Sequence, residues 1–189
     1  VELLLDWYAP HIATTEVSGS MRGHFVRLWR EALGFVATQP KTWVLRDYHS
    51  PNLLWLPERE GAKRIGIIDF QDALIGPAAY DVVSLTQDAR IVVDEATELA
   101  LFARYAMGRR KADETFDAAA FGQAYALMGA QRATKILGIF ARLDKRDGKP
   151  AYLKLLPQIA AYLRRNLRHE SLADLAVWYD TYLPALVKE

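Results

Sequence analysis

The chain has 189 residues, of which 51% are hydrophobic and 25% are charged. This length fits one domain or one large lobe of a longer protein, and the composition excludes a disordered tail. A formal net charge of +1 gives no reason to expect nucleic acid or an anionic membrane as a partner. No apolar run approaches the roughly 18 residues of a membrane span. The sequence lacks cysteine, which excludes disulfide bonds and thiolate metal sites and agrees with an expected cytoplasmic location.

Helical periodicity dominates the first part of the chain. Apolar residues recur at spacings of three and four between Phe25 and Val36, which predicts a helix that ends before Pro40. The pattern then changes to short apolar runs separated by polar turns. These runs predict strands at residues 42–45, 52–56 and 64–70, with a hairpin turn at residues 57–63 between the last two.

From Ala79 onward the sequence again reads as helix. The predicted helices span residues 80–90, 94–107, 115–143, 151–168 and 172–187. The predicted breaks are Gly108, Gly148 and Pro150. Glycines inside the longest segment indicate close helix packing or a break, and they are Gly122, Gly129 and Gly138. The sequence therefore predicts a mainly α fold with a small β-hairpin patch in its first half.

Three polar side chains on the β patch form a candidate site. Asp47 and Asn52 lie five residues apart on one predicted loop, and Asp69 ends the apolar run of the second hairpin strand. Transfer of the γ-phosphoryl group of ATP needs a carboxylate to accept the proton of the acceptor hydroxyl and oxygen ligands to hold Mg²⁺. A loop with Asp and Asn at this spacing can supply both, and the hairpin would bring the second Asp alongside. A capped turn at Ser50 and Pro51 is the structural alternative.

The residues around these three carry a family resemblance. The segments DYHSPN at residues 47–52, IIDF at residues 67–70 and GPAAYD at residues 76–81 resemble the catalytic lobe of the aminoglycoside phosphotransferase and choline kinase family. The resemblance implies the C-terminal lobe of a protein kinase-like fold, with Mg²⁺ as cofactor and ATP as co-substrate. It also implies roles for five residues: Asp47 as catalytic base, Asn52 and Asp69 as Mg²⁺ ligands, and His49 and Asp81 as braces of the catalytic loop.

The sequences of these segments resemble in particular those of a bacterial branch of amino-sugar kinases that act in cell-wall recycling. Members of that branch phosphorylate the anomeric hydroxyl of N-acetylmuramic acid and N-acetylglucosamine, so the resemblance implies a small amino-sugar substrate. Two positions depart from the family pattern, because Leu45 and Arg46 stand where His and Gly are usual. Protein-kinase activity is disfavoured, since Gln71 rather than Gly follows Asp69 and Phe70.

The phosphate-binding elements of that fold are not found in this sequence. A kinase of this type needs a glycine-rich strand-turn-strand and a strand Lys in an N-terminal lobe. The first 40 residues read as helix, and GSMRG at residues 19–23 is neither a G-x-G-x-x-G nor a Walker loop. We therefore expect residues 1–189 to be the catalytic C-terminal lobe alone, without its N-terminal ATP-binding lobe. The isolated chain is expected to bind ATP poorly and to have little or no activity.

Other functions stay open from the sequence. The acceptor alternatives are an aminoglycoside or a choline-type amino alcohol, since family substrates are selected by variable helices and loops. A phosphatase-like hydrolase with Asp69 as nucleophile is a second class, although Asp72 stands three residues later where that chemistry usually wants two. A non-catalytic, pseudokinase-like binding lobe is a third.

Three residues outside the motifs are candidates for substrate contact. Trp7 is able to border a sugar pocket, because apolar sugar faces stack on aromatic rings, and core packing is its alternative role. Arg132 and Lys135 lie near one predicted helix face. Such a pair would suit a substrate that bears a carboxylate, and a solvated helix face is the alternative.

Overall fold

The computed structural model describes residues 1–188, which divide into two compact units. The helical unit comprises Val1–Thr38 together with residues 126–188, and the mixed unit comprises Gln39–Tyr125. The prediction of a mainly α fold with a small β patch is confirmed. No helix within residues 1–188 combines the length and the apolarity needed to cross a membrane.

Helices and strands follow one another in a simple order along the described chain. In chain order the α-helices are α1 (Ala9–His11), α2 (Gly19–Thr38), α3 (Ala79–Thr86), α4 (Glu95–Ala112), α5 (Ala118–Asp147), α6 (Leu156–Leu167) and α7 (Ala173–Tyr182). The strands are β1 (Lys41–Val44), β2 (Leu53–Trp55), β3 (Ile65–Ile67) and β4 (Leu74–Pro77). A π-helical turn, Leu4–Tyr8, precedes α1, and short 3₁₀ turns precede α6 and α7.

Aromatic packing between α2 and α7 forms the core of the helical unit. The ring centroid of Phe25 lies 4.5 Å from that of Trp178 and 6.1 Å from that of Tyr179, and all three side chains are buried. The hydroxyls of Tyr179 and Thr134 are hydrogen-bonded at 2.6 Å, which joins α5 to the same cluster. Burial raises the pKa of Tyr179, so its hydroxyl keeps its proton.

Two antiparallel strand pairs form the β part of the mixed unit. Strand β1 pairs with β4, so that Val44 lies opposite Leu74, and β2 pairs with β3 as a hairpin. The hairpin is inserted along the chain between the two strands of the other pair. Residues 45–52, which we call the Asp47 loop, and residues 68–73, which we call the Asp69 loop, therefore both run from one strand pair to the other.

The three predicted strands are confirmed as β1, β2 and β3, and a fourth strand was missed. Strand β3 ends at Ile67, short of the predicted Phe70, because Asp69 takes a left-handed backbone conformation that a strand excludes. The missed strand β4 contains Gly76 and Pro77, which are residue types that strands usually lack. Pro77 is tolerated there because β4 pairs on one side only, with β1.

The helix predictions are confirmed in position and differ at their ends. The helix predicted over residues 80–90 ends at Thr86, because the chain turns into a loop before Asp88. The predicted break at Gly108 is wrong, since α4 continues through it to Ala112. A single glycine costs a helix only about 1 kcal/mol relative to alanine, which the rest of α4 outweighs. The break at Gly148 is confirmed, where a φ of 63° follows the end of α5.

Two glycines of α5 allow close packing within the helical unit. A Cβ atom at Gly129 would lie 2.5 Å from the side chain of Asn166, and one at Gly138 would lie 2.5 Å from the carbonyl oxygen of Leu3. A Cβ atom at Gly122 would meet its nearest neighbour at an ordinary 3.8 Å. The prediction of close packing is therefore confirmed at Gly129 and Gly138.

Replacing Gly138 by Ala is expected to lower the free energy of unfolding by about 1–3 kcal/mol, because the new methyl group meets backbone atoms of Leu3 that cannot rotate away. Gly34→Ala is the matched control in α2, where no neighbouring atom lies within 4 Å of the new Cβ atom. That change should raise the free energy of unfolding by up to about 1 kcal/mol. Urea denaturation followed by circular dichroism measures both, and a Gly138→Ala chain as stable as the wild type would contradict the close contact.

Candidate active site

The side chain of Asn52 joins the Asp47 loop to the Asp69 loop. Its amide nitrogen donates to the backbone carbonyl of Asp47 at 3.0 Å and to Oδ2 of Asp69 at 3.2 Å. A backbone bond adds to this link, because the N–H of Ile68 donates to the carbonyl of Asn52 at 3.1 Å. The structure therefore brings the three predicted residues together, with Asp47 and Asp69 exposed to solvent.

Each of the two loops contains a residue with a left-handed backbone. Arg46 has a φ of 70° and Asp69 has a φ of 60°. For a residue that has a side chain this conformation costs about 1–2 kcal/mol, so it persists only where the surrounding structure determines it. The family pattern has Gly at the position of Arg46, and Gly adopts this conformation without strain.

The carboxylate of Asp81, in the first turn of α3, holds the start of the Asp47 loop. Its Oδ2 accepts a hydrogen bond from the N–H of Leu45 at 2.7 Å, and its Oδ1 accepts one from the N–H of Arg46 at 3.1 Å. The hydroxyl of Ser84, one turn further along α3, donates to the carbonyl of Arg46 at 3.4 Å. The strained residue Arg46 is thus bonded to α3 through both its N–H and its carbonyl.

A second carboxylate, Asp88, holds the middle of the same loop. Its Oδ2 accepts from the N–H of Ser50 at 3.0 Å, its Oδ1 accepts from the N–H of Arg90 at 2.8 Å, and its side chain is buried. Asp88 was missed as a functional residue, because the helix predicted over residues 80–90 includes it. Its residue type was the available signal, since Asp is a poor helix former that favours caps and loops.

A buried polar network fixes the chain on the N-terminal side of Asp88. Oε1 of Glu98, in α4, accepts from the side-chain amide of Gln87 and from the hydroxyl of Tyr125, each at 2.7 Å. The same Tyr125 hydroxyl is hydrogen-bonded to the hydroxyl of Thr86. Burial raises the pKa of Tyr125 well above its usual value, so the phenol keeps the proton that it donates to Glu98. Asp88 therefore follows a segment that is tied to both α4 and α5.

Tyr48 follows Asp47 directly and is half-buried. Burial, and secondly the negative charge of Asp81, raise the pKa of Tyr48 above its usual value, so the side chain is neutral at pH 7. Together with residues that include Leu45 and Asp81 it lines a cavity of about 680 Å³ beside α4. The Asp47 loop is therefore bordered by open space on the side of α4.

The other predicted residues divide between the two units. His49 lies in the Asp47 loop, and its Nε2 is 3.5 Å from Nη1 of Arg90. Trp7, Arg132 and Lys135 lie in the helical unit, where Arg132 is only 8% exposed and the other two are half-buried. Contact of these three residues with a substrate stays a prediction.

The oxygen atoms of the site suit Mg²⁺. Because the amide nitrogen of Asn52 is bonded to the carbonyl of Asp47, the amide oxygen is the atom that can face a cation, next to the carboxylate of Asp69. Within residues 1–188 no group of three or more His, Cys, Asp or Glu side chains is arranged to hold a metal ion. Mg²⁺ commonly takes one or two protein oxygens and completes its shell with water and phosphate. Asp69 and Asn52 fit that donor set.

A comparison with protein families agrees with the motif resemblance. A family model described as "Phosphotransferase enzyme family" matches residues 3–115. This range contains the Asp47 loop, the Asp69 loop and the whole of α3 and α4. Every residue that the motifs assign to the site therefore lies inside the matched range.

Curated relatives match along nearly the whole chain. An "N-acetylmuramate/N-acetylglucosamine kinase" of Caulobacter vibrioides is 45% identical, over 97% of this chain and 49% of its own length. Proteins of the same name from Neisseria meningitidis serogroup B and Pseudomonas putida are 37% and 34% identical, over 93% of this chain and 52% and 51% of their own lengths. The resemblance to this branch is confirmed, and the chain spans about half the length of the curated relatives it matches.

Replacing Asp81 by Asn is expected to loosen the start of the Asp47 loop. The amide keeps one acceptor oxygen and turns an NH₂ group toward a backbone N–H that it cannot bond, so one hydrogen bond is lost. Hydrogen exchange at the amides of Leu45 and Arg46 should become about 10-fold faster, which corresponds to about 1.4 kcal/mol.

Asp72→Asn is the control for this experiment. Asp72 is exposed and lies 3.9 Å from the guanidinium of Arg46, and such exposed ion pairs contribute little. Exchange at both amides should therefore stay as in the wild type. An equal acceleration in the two variants would contradict a specific role of Asp81.

Proposed function

Because the chain belongs to the phosphotransferase enzyme family, we propose that it is the catalytic half of an ATP- and Mg²⁺-dependent kinase that phosphorylates a small amino sugar. N-acetylmuramate and N-acetylglucosamine are the acceptors we favour, since the curated relatives are named as kinases of these two sugars. The observation that carries the proposal is the contact of the Asn52 amide with both Asp47 and Asp69. Phosphoryl transfer needs a proton acceptor and metal ligands at one place, and this contact unites them.

In this proposal Asp47 is the catalytic base. Its side chain is exposed, and it is the backbone carbonyl of Asp47 that receives the hydrogen bond of Asn52. The carboxylate is therefore available to orient the acceptor hydroxyl and to take its proton as the hydroxyl oxygen attacks the γ-phosphorus. A base held on a braced loop keeps this geometry between turnovers.

Asn52 and Asp69 would hold Mg²⁺ in the same proposal. The metal, when bound, would neutralise charge on the phosphate oxygens of ATP during transfer. Both ligands are oriented by neighbours: Oδ1 of Asp69 accepts from the side-chain amide of Gln71 at 2.7 Å, and Asn52 is tied to the carbonyl of Asp47. Such outer contacts set the direction of metal ligands.

Asp81 is the positioning residue of the loop that carries the base. Its two bonds to backbone N–H groups fix Leu45 and Arg46, the two residues directly before Asp47. Asp88 acts on the other side of Asp47 through the N–H of Ser50. The base is thus supported from both directions along the chain.

The elements that bind ATP are proposed to lie outside this chain. The curated relatives are about twice as long as the stretch that matches here. Around the site, apolar side chains of the hairpin and the Asp69 loop are exposed to solvent, and they include Leu54, Trp55, Ile68 and Phe70. Large apolar side chains exposed together on one hairpin and the loop that follows it often mark a contact with another part of the protein or with a ligand. We propose that an ATP-binding lobe and its nucleotide cover it.

The hydrolase alternative gains no support from the hydrogen bonding of Asp69. Both of its carboxylate oxygens accept a side-chain amide hydrogen bond, Oδ1 from Gln71 and Oδ2 from Asn52. These bonds stabilise the carboxylate anion and so weaken it as a nucleophile, while each oxygen keeps a second lone pair that can bind a cation. A metal ligand fits this environment better.

Asp47→Asn in the full-length gene product is expected to lower kcat by about 10²–10⁴-fold, because the amide cannot accept the hydroxyl proton. ADP release should be measured with N-acetylmuramate and N-acetylglucosamine, and with an aminoglycoside, choline and homoserine as other acceptors. Asp72→Asn is the matched control and should keep its activity. Retention of most of kcat by Asp47→Asn would refute the base, and inactivity of the wild type on every acceptor would refute the kinase.

The isolated chain of 189 residues is expected to bind Mg-ATP only weakly, since it has metal ligands without a glycine-rich phosphate loop. Titration calorimetry on this chain and on the full-length gene product measures the difference. Tighter binding by the longer protein supports a separate ATP-binding lobe. Micromolar affinity of the 189-residue chain would contradict it.

A further inference from the structure

Arg90 places a cation next to the Asp47 loop. Its Nη1 lies 3.5 Å from Nε2 of His49, which stands two residues after Asp47. The side chain of Arg90 is exposed to solvent, and Arg90, His49 and Asp47 all belong to the mixed unit. The guanidinium is therefore close to the loop on which the acceptor hydroxyl would be oriented.

The backbone of Arg90 is fixed relative to that loop by a single carboxylate. Asp88 is 1% exposed, and its two oxygens accept from the N–H of Ser50 in the loop and from the N–H of Arg90. Hydrogen bonds to an ionised carboxylate are about twice as strong as those between neutral groups. The same carboxylate thus holds both Arg90 and the Asp47 loop, so the backbone of Arg90 is fixed relative to that loop.

The guanidinium of Arg90 has capacity for an anionic ligand. Within residues 1–188 no carboxylate oxygen lies within 4.0 Å of it, and its guanidinium makes one side-chain hydrogen bond there, the long contact with His49. Arginine presents five N–H donors in a planar fork that matches a carboxylate through two parallel hydrogen bonds. An anion that approached Asp47 from this side would meet that fork.

We propose that Arg90 is a specificity-determining residue that binds the carboxylate of an acidic amino sugar. The inference rests on the proposed kinase function and adds to it a basis for substrate choice. N-acetylmuramate differs from N-acetylglucosamine by a lactyl ether that carries a carboxylate, so only the first sugar offers Arg90 a partner. Arg132 and Lys135, the cations that the sequence suggested for this role, lie in the helical unit, and Arg132 is buried there.

Steady-state kinetics of Arg90→Ala in the full-length gene product tests the proposal. We expect kcat/KM for N-acetylmuramate to fall about 10–100-fold, mainly through KM, because a hydrogen-bonded charge pair is lost. For N-acetylglucosamine, kcat/KM should change less than about 3-fold. Arg90→Lys keeps the charge and loses the fork, so it should fall between the wild type and Arg90→Ala. Arg110→Ala, an exposed arginine at the end of α4, is the matched control and should change neither value.

A second experiment removes the charge from the substrate instead of from the protein. The methyl ester of N-acetylmuramate keeps the lactyl group and lacks the charge. The wild type should prefer the acid to the ester, and Arg90→Ala should lose that preference. Equal losses with both sugars would show that Arg90 acts on a phosphate group or on the loop, and would overturn the proposal, as would an unchanged Arg90→Ala.

Failure of the proposed kinase function can be distinguished from failure of the proposed role of Arg90. If the wild type phosphorylates neither sugar, the proposed function fails, and equilibrium binding of the two sugars then decides about Arg90. Weaker binding of N-acetylmuramate alone in Arg90→Ala would support a carboxylate site. Unchanged or equally reduced binding of both sugars would overturn it.

Discussion

The loop that carries Asp47 depends on two carboxylates that bond to its main chain. Asp81 accepts from the two N–H groups before Asp47, and Asp88 accepts from the N–H of Ser50 after it. A loop has no strand partner to satisfy these donors, and a buried donor without an acceptor costs about 1–3 kcal/mol. The carboxylates meet that requirement and also overcome the strain of the left-handed Arg46. The position of the candidate base is thus set by hydrogen bonds from its loop to two acceptors that lie outside the loop.

The arrangement of the strands explains why the two loops of the site meet. In sequence, the hairpin β2–β3 lies between strands β1 and β4. The two loops that connect the strand pairs therefore run next to each other. One side chain, Asn52, then suffices to join them. The mixed unit can therefore assemble its polar centre from two short loops, while α3 and the buried Glu98 network supply the support.

Much of this arrangement could be predicted, because its signals are local. The apolar runs predicted three strands, the hairpin placed Asp69 near Asn52, and the spacing of Asp47 and Asn52 suggested one loop. The missed features depend on residues distant along the chain. Strand β4 is defined by pairing with β1 and not by its own residues, which include Gly76 and Pro77. Asp88 acquires its role from the N–H of Ser50, and no periodicity within α3 reports that contact.

The bonds that Asp81 makes have a consequence for how this loop tolerates sequence drift. They are made to the backbone N–H groups of Leu45 and Arg46 and involve neither side chain. Every residue except proline has such an N–H group. These hydrogen bonds therefore do not depend on which side chain stands at positions 45 and 46, although the left-handed backbone of residue 46 still favours glycine. The two departures from the His-Gly pattern fall on these positions, and both N–H bonds are present with Leu and Arg there. Because the support is made through the main chain, the side chains beside the candidate base are available for other contacts, such as contacts with a substrate.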